Sequence, residues 1–190
     1  VTTPLPIYFS QASPTVLTTG DGYTVPGALD VEQFITLTSA YTLTSQTAAQ
    51  KLFNSPTNGA VTLPVGAYFF DCMFTLSALS ATSGGFGFAF AGTATIAGQL
   101  WQTEGSKAVL ATTAAAQNTV NTAANTAIVT ATTATVGWAH AWGKVRISVA
   151  GTLIPQISQF TAAAAVVGVD SYFRIWPVGS NTIQSAGAWT

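Results

Sequence analysis

Along much of the chain, hydrophobic and polar residues follow the two-residue period of a pleated strand. In AYFFDCMFTLSAL (67–79), Tyr68, Phe70, Cys72, Phe74 and Leu76 share one face; Phe69, Asp71, Met73 and Thr75 share the other. Both sets are largely apolar, which predicts a central strand covered on both sides. WAHAWGKVRISVA (138–150) alternates as cleanly. Ala139, Ala141, Val145, Ile147 and Val149 fall on one side, Trp138, His140, Trp142, Lys144 and Arg146 on the other. FGFAFAG (86–92) sets Phe86, Phe88 and Phe90 against Gly87 and Ala89, so large rings face a core while small residues admit a neighbouring layer. Ser83-Gly84-Gly85 reads as the turn that leads into it.

Weaker signals fill the remainder. VEQFITLT (31–38), YTLT (41–44), Val61 to Leu63, 96–102, 128–136 and SYFRIW (171–176) read as strands. Pro177 and Gly179-Ser180-Asn181 close the last of these, and Gly151-Thr152 reads as a tight hairpin into LIPQISQF (153–160). Ser45 followed by QTAAQKLF fits a two-turn helix with Ser45 as its N-cap. NSPTNG (54–59) is a loop, because Pro, Asn and Gly supply turn conformations. Residues 108–136 form an Ala/Thr tract in which the β-branched Thr opposes helix. Residues 1–30 hold Pro4, Pro6, Pro14 and Pro26 without periodicity and read as an extended N-terminal arm. The expectation is an all-β chain: the arm, then a jelly-roll-like antiparallel β-sandwich over 31–190.

Composition narrows the function classes. Charged residues are only 6% of the 190, whereas 48% are apolar and 32 Ala with 31 Thr make up a third of the chain. Five Lys/Arg against six Asp/Glu leave no basic footprint, which argues against nucleic acid. A membrane helix is not expected either, because the strongest apolar run, 67–79, is short and contains Asp71. So few charges fit a chain whose surface is largely covered by other subunits. The first residue is Val1 rather than Met, so a processed or excerpted chain is expected.

Candidate chemistry is sparse. The carboxylates are Asp21, Asp30, Glu32, Asp71, Glu104 and Asp170, and only Asp30 and Glu32 are near each other in sequence. Glycoside hydrolysis needs two positioned carboxylates. His140 and Asp71 could enter a Ser-His-Asp arrangement, but no GxSxG elbow accompanies them. Cys72, the single cysteine, sits among phenylalanines and reads as an inert buried thiol. One His and scattered carboxylates give no metal cluster, so no enzyme activity, metal or cofactor is expected. The Trp138-His140-Trp142 stripe is the notable surface feature. It either packs against a second sheet or a neighbouring subunit, or forms an aromatic platform for a ligand.

Three segments carry a family resemblance: TAAQKLFNSPTNGAVTLPVGAYFFDCMFTL, GWAHAWGKVRISVAGTLIPQIS and DSYFRIWPVGSNTIQSAGAW. In order and spacing they resemble a domain of bacteriophage virion proteins described as minor structural or fibre proteins, over about residues 31–190. The resemblance implies a virion-surface protein with a trimeric jelly-roll sandwich and no catalytic residues. The first expectation is therefore a capsid decoration (cement) or head-fibre protein that binds the major capsid protein as a homotrimer and stabilises the head. The arm would anchor it through Ile7, Tyr8 and Phe9. The alternative is the receptor-binding tip of a tail fibre, with Trp138 or Trp142 touching a host surface glycan. The capsid is preferred because the sequence shows neither heptads nor a collagen-like repeat to build a shaft.

Overall fold

The computed structural model describes residues 32–107, 117–121 and 126–180. The arm, with Ile7, Tyr8 and Phe9, therefore lies outside the described residues, as do Asp30 and most of the 108–125 tract. The described residues cluster as one compact unit.

Among the described residues thirteen strands follow one another: β1 (Gln33–Thr36), β2 (Tyr41–Thr42), β3 (Gln50–Lys51), β4 (Val61–Leu63), β5 (Gly66–Ser77), β6 (Gly84–Ala91), β7 (Thr95–Ser106), β8 (Gln117–Asn121), β9 (Thr126–Thr132), β10 (Gly137–Val149), β11 (Gly151–Gln159), β12 (Val166–Val167) and β13 (Tyr172–Gly179). They form an all-β sandwich of two antiparallel sheets. The larger has the order β1-β13-β5-β10-β7-β8, with β12 bridging β5 and β2. The smaller has the order β3-β11-β6-β9, with β4 also on β11. No helix among the described residues is long and apolar enough to cross a membrane.

The alternating pattern explains which sides meet. Phe70, Cys72 and Phe74 of β5, Phe86 and Phe88 of β6, Trp101 of β7 and Phe173 of β13 are all buried between the sheets. Phe70 meets Phe90 edge-on at 5.0 Å, and Phe88 meets Trp101 edge-on at 5.4 Å. In these geometries the positive ring edge points at a negative ring face. β10 contributes only small residues beside these rings, Ala139, Ala141 and Gly143. A Cβ on Gly143 would lie 2.4 Å from the Trp101 Cα, so glycine is what lets the tryptophan backbone come close.

Several expectations change once chain neighbours are known. No helix forms over 46–53: Gln50 and Lys51 pair with β11, and the Leu52 amide donates to the Pro155 carbonyl at 2.9 Å. The Gln50 amide group clasps the backbone of Thr44, accepting from its N–H at 2.8 Å and donating to its carbonyl at 2.9 Å. Burial of Leu52 and Phe53 in the sandwich outweighs a weak local helical preference. The 54–59 loop is present and ends in a short 3-10 turn at Thr57–Gly59. Gly59, at φ 61°, has no room for a side chain, since a Cβ would lie 2.6 Å from the Phe53 carbonyl oxygen.

Gly151-Thr152 is not a hairpin. β10 belongs to the large sheet and β11 to the small one, so the chain turns a corner between layers. Gly84 and Gly85 begin β6 instead of forming a turn before it. β13 runs through Pro177 to Gly179; Pro177 stands opposite Tyr68 just before a break in register. Val149, expected on the inward side, is exposed at the last position of β10, where the strand ends. The largest correction concerns β5. It is central in its sheet, between β13 and β10, yet only one face is covered: Phe69 and Met73 are 43% and 40% exposed.

Candidate functional site

The outer face of the large sheet is where chemistry collects. The registers of β1 on β13, β13 on β5, β5 on β10 and β10 on β7 align outward side chains into rows across the strands. One row reads Phe34, Arg174, Asp71, Trp142, Gln102. The next reads Thr36, Tyr172, Met73, His140, Glu104. On the other side of the first row lie Trp176, Phe69, Lys144 and Leu100. Directly opposed residues in such rows lie within about 4.5–5.5 Å, close enough to interact. Asp71, Glu104, Lys144, Arg146 and Arg174, five of the chain's eleven charged residues, stand on this face with its only histidine.

Asp71 is the hub. Its Oδ1 accepts a 2.6 Å hydrogen bond from His140 Nε2. Its Oδ2 accepts from Arg174 at 3.0 Å (Nη2) and 3.2 Å (Nε), and from the Tyr172 hydroxyl at 3.4 Å. Both guanidinium nitrogens converge on this one oxygen in charge-assisted hydrogen bonds, while Oδ1 is left to the histidine. Burial, followed by the charge of Asp71, raises the Tyr172 hydroxyl above the usual tyrosine range. Arg174 also reaches Glu32 at 3.9 Å and lies over the Trp176 ring at 5.1 Å. His140 stacks on Trp142 with ring centres 4.4 Å apart, and its Nδ1 stands 3.7 Å from Glu104.

Beside this network is an open depression of about 260 Å³, lined by Phe69, Asp71, His140, Trp142, Gly143 and Trp176 together with Phe70. Phe69 and Trp176 meet at 6.2 Å across the β5–β13 seam. Apolar walls with a few polar groups at the floor are the usual form of a small-molecule site.

The sequence-derived candidates divide. Trp138, His140 and Trp142 point away from the second sheet and are half-buried on the outer face, so packing of the stripe against that sheet is ruled out. His140 and Trp142 join the depression, and Trp138 lies further along β10 opposite Thr75 and Ser106. The formal Ser-His-Asp arrangement is half assembled: Asp71 holds one imidazole nitrogen, but a carboxylate, Glu104, faces the other. The two carboxylates bracket the ring from opposite sides instead of converging, and among the described residues no cluster could hold a metal ion. Cys72 is fully buried, and burial followed by the neighbouring Asp71 charge pushes its thiol well above the ordinary range, as an inert thiol requires.

Sequence reasoning missed Arg174, Tyr172, Glu104, Phe69 and Trp176 as members of one site. The available signals were a carboxylate in the middle of an aromatic strand and the shared face of Tyr172, Arg174 and Trp176. What brings them together is cross-strand register, over sequence separations of up to 103 residues. Comparison with protein-family models and with curated proteins found no match for the chain.

Proposed function

We propose that this chain is a non-enzymatic structural protein of the bacteriophage virion surface, a capsid decoration or head-fibre protein. It binds the major capsid protein as a homotrimer and stabilises the head. The observation carrying this reading is that the sandwich completes its own core while leaving a broad face of exposed aromatic and charged residues. A contiguous surface of that kind marks a contact site. The work is mechanical: a rigid body adds buried area between neighbours, while the arm around Ile7, Tyr8 and Phe9 supplies attachment. The order and spacing of the phage-like segments support the virion assignment.

Antibody labelling of purified virions tests it. Labelling of the head, lost when residues 1–30 are deleted while the trimer persists in solution, is the expected outcome. Labelling confined to tail tips, or unchanged head occupancy after the deletion, rejects it. The second reading, a receptor-binding tail-fibre tip, is favoured by one specific observation, the aromatic depression with polar groups on its floor.

A further inference from the structure

We infer that the depression between Phe69, Trp142 and Trp176 is a subsite for a single neutral pyranose ring. This deepens the second reading's surface, but it is argued from the site itself and holds wherever the chain sits.

Size comes first. At about 260 Å³ and open to solvent, the depression is smaller than the roughly 300–1,000 Å³ typical of drug-sized ligands. One six-membered ring at the end or side of a longer glycan suits it. Surface chemistry comes second. Trp142, Trp176 and Phe69 supply flat, rigid apolar walls, and a pyranose has a C–H face that packs on such rings. Indole side chains lose little conformational freedom on binding, and here each is already braced. Trp142 is held by His140 at 4.4 Å, and Trp176 by Arg174 at 5.1 Å.

Polar groups then select the ligand. A sugar hydroxyl both donates and accepts. The lining sets the Asp71 carboxylate and the His140 imidazole among the rings, 2.6 Å apart, and Arg174 pairs with Asp71 at 3.0 Å from beyond the lining. An anion entering here meets the Asp71 carboxylate, and a cation finds that charge already paired with Arg174, so the lining favours a neutral polyol over either. Asp71 is the least exposed of the three, with 14% of its side chain accessible against 28% for His140 and 44% for Arg174. With both oxygens engaged, it acts as the positioning residue. It holds the His140 imidazole in one orientation, and the carboxylate's remaining lone pairs accept from a sugar hydroxyl. β5, β10 and β13 fix all these groups on strands, so little rearrangement accompanies binding.

The test uses the full chain and the methyl glycosides of galactose, glucose and mannose, with inorganic phosphate as comparator. Tryptophan fluorescence and ligand-observed NMR should show saturable binding of at least one glycoside, with Kd on the order of 1 mM and no binding of phosphate. Trp142→Ala should weaken it about tenfold or more, whereas Trp142→Phe, which keeps a flat ring, should stay within about threefold. Phe160→Ala, at an exposed aromatic just after β11, should change nothing. If Trp142→Ala does not fold by circular dichroism, Phe69→Ala, at an already exposed ring, carries the same expectation. No saturation by any glycoside up to about 100 mM, or binding that survives both substitutions, overturns the proposal. So does sedimentation as an oligomer that Trp142→Ala dissociates, since a second copy would then occupy the face. Because the readout is on the isolated chain, a negative result leaves the virion assignment standing, and tail labelling leaves this site standing.

Discussion

The two faces of the large sheet are made by the same strands, often by adjacent residues, yet they behave as different materials. Inward, Tyr68, Phe70, Cys72 and Phe74 alternate with outward Phe69, Asp71, Met73 and Thr75 along one strand. The inner set is closed off by a second sheet whose phenylalanines interlock with it; the outer set keeps its rings partly in water and gathers charge around Asp71. Apolar residues on both faces therefore do not mean two covered faces. One face is a core held by packing, and the other is a solvent-facing surface ordered by register and by one carboxylate with three partners.

Breaking that contrast gives the largest expected effect. Phe88→Ala, at a fully buried ring, should cost about 3–5 kcal/mol in urea unfolding. Phe34→Ala, at a ring 58% exposed on the outer face, should stay within about 0.5 kcal/mol. Equal losses would mean the outer face is covered in solution. Next in size is Gly143→Ala. Its added carbon would meet the Trp101 Cα at 2.4 Å and the Leu100 carbonyl at 2.5 Å, so a loss of about 1–3 kcal/mol is expected in the same measurement. Gly179, with nothing near its missing side chain, is the matched control for crowding.

On the outer face, Asp71→Asn should cost only about 1 kcal/mol, because its arginine partner is 44% exposed and water screens the pair. The same change should loosen Arg174 and His140, seen as broadened His140 ring resonances in NMR spectra. The smallest effect is alkaline. Burial raises the Cys72 thiol well above its ordinary 9.0, so the folded chain keeps a proton that the unfolded chain releases from about pH 9 upward. Its contribution is fully present below pH 9 and declines as pH rises through and beyond that value. Cys72→Ala should flatten the onset of the fall in thermal midpoint near pH 9, below the 10.0 from which Tyr41 and Tyr172 are raised.

Much of the fold was legible. Phe70, Cys72 and Phe74 on one side of β5, and Ala139, Ala141 and Val145 on one side of β10, follow from period-two alternation alone. The helix expected over 46–53 fails because local pattern carries no information about Pro155, whose carbonyl takes the Leu52 amide from a strand about a hundred residues away. The Gly151-Thr152 hairpin fails for a related reason: a tight turn in sequence does not say whether the two strands share a sheet. Of the site, His140 and Trp142 were readable as an unusual stripe. Arg174 and Trp176 were not, because nothing along the chain states that β13 lies beside β5.

By itself, the sequence determined that this protein is made of strands and which residues of each strand lie together. Side chains alternate by covalent geometry, so that knowledge needs no neighbours. Which of the two faces would be buried, and which distant residues would surround Asp71, was decided only by tertiary structure. Those outcomes depend on sheet order and register, which are set by the packing of the whole core and not by any one segment.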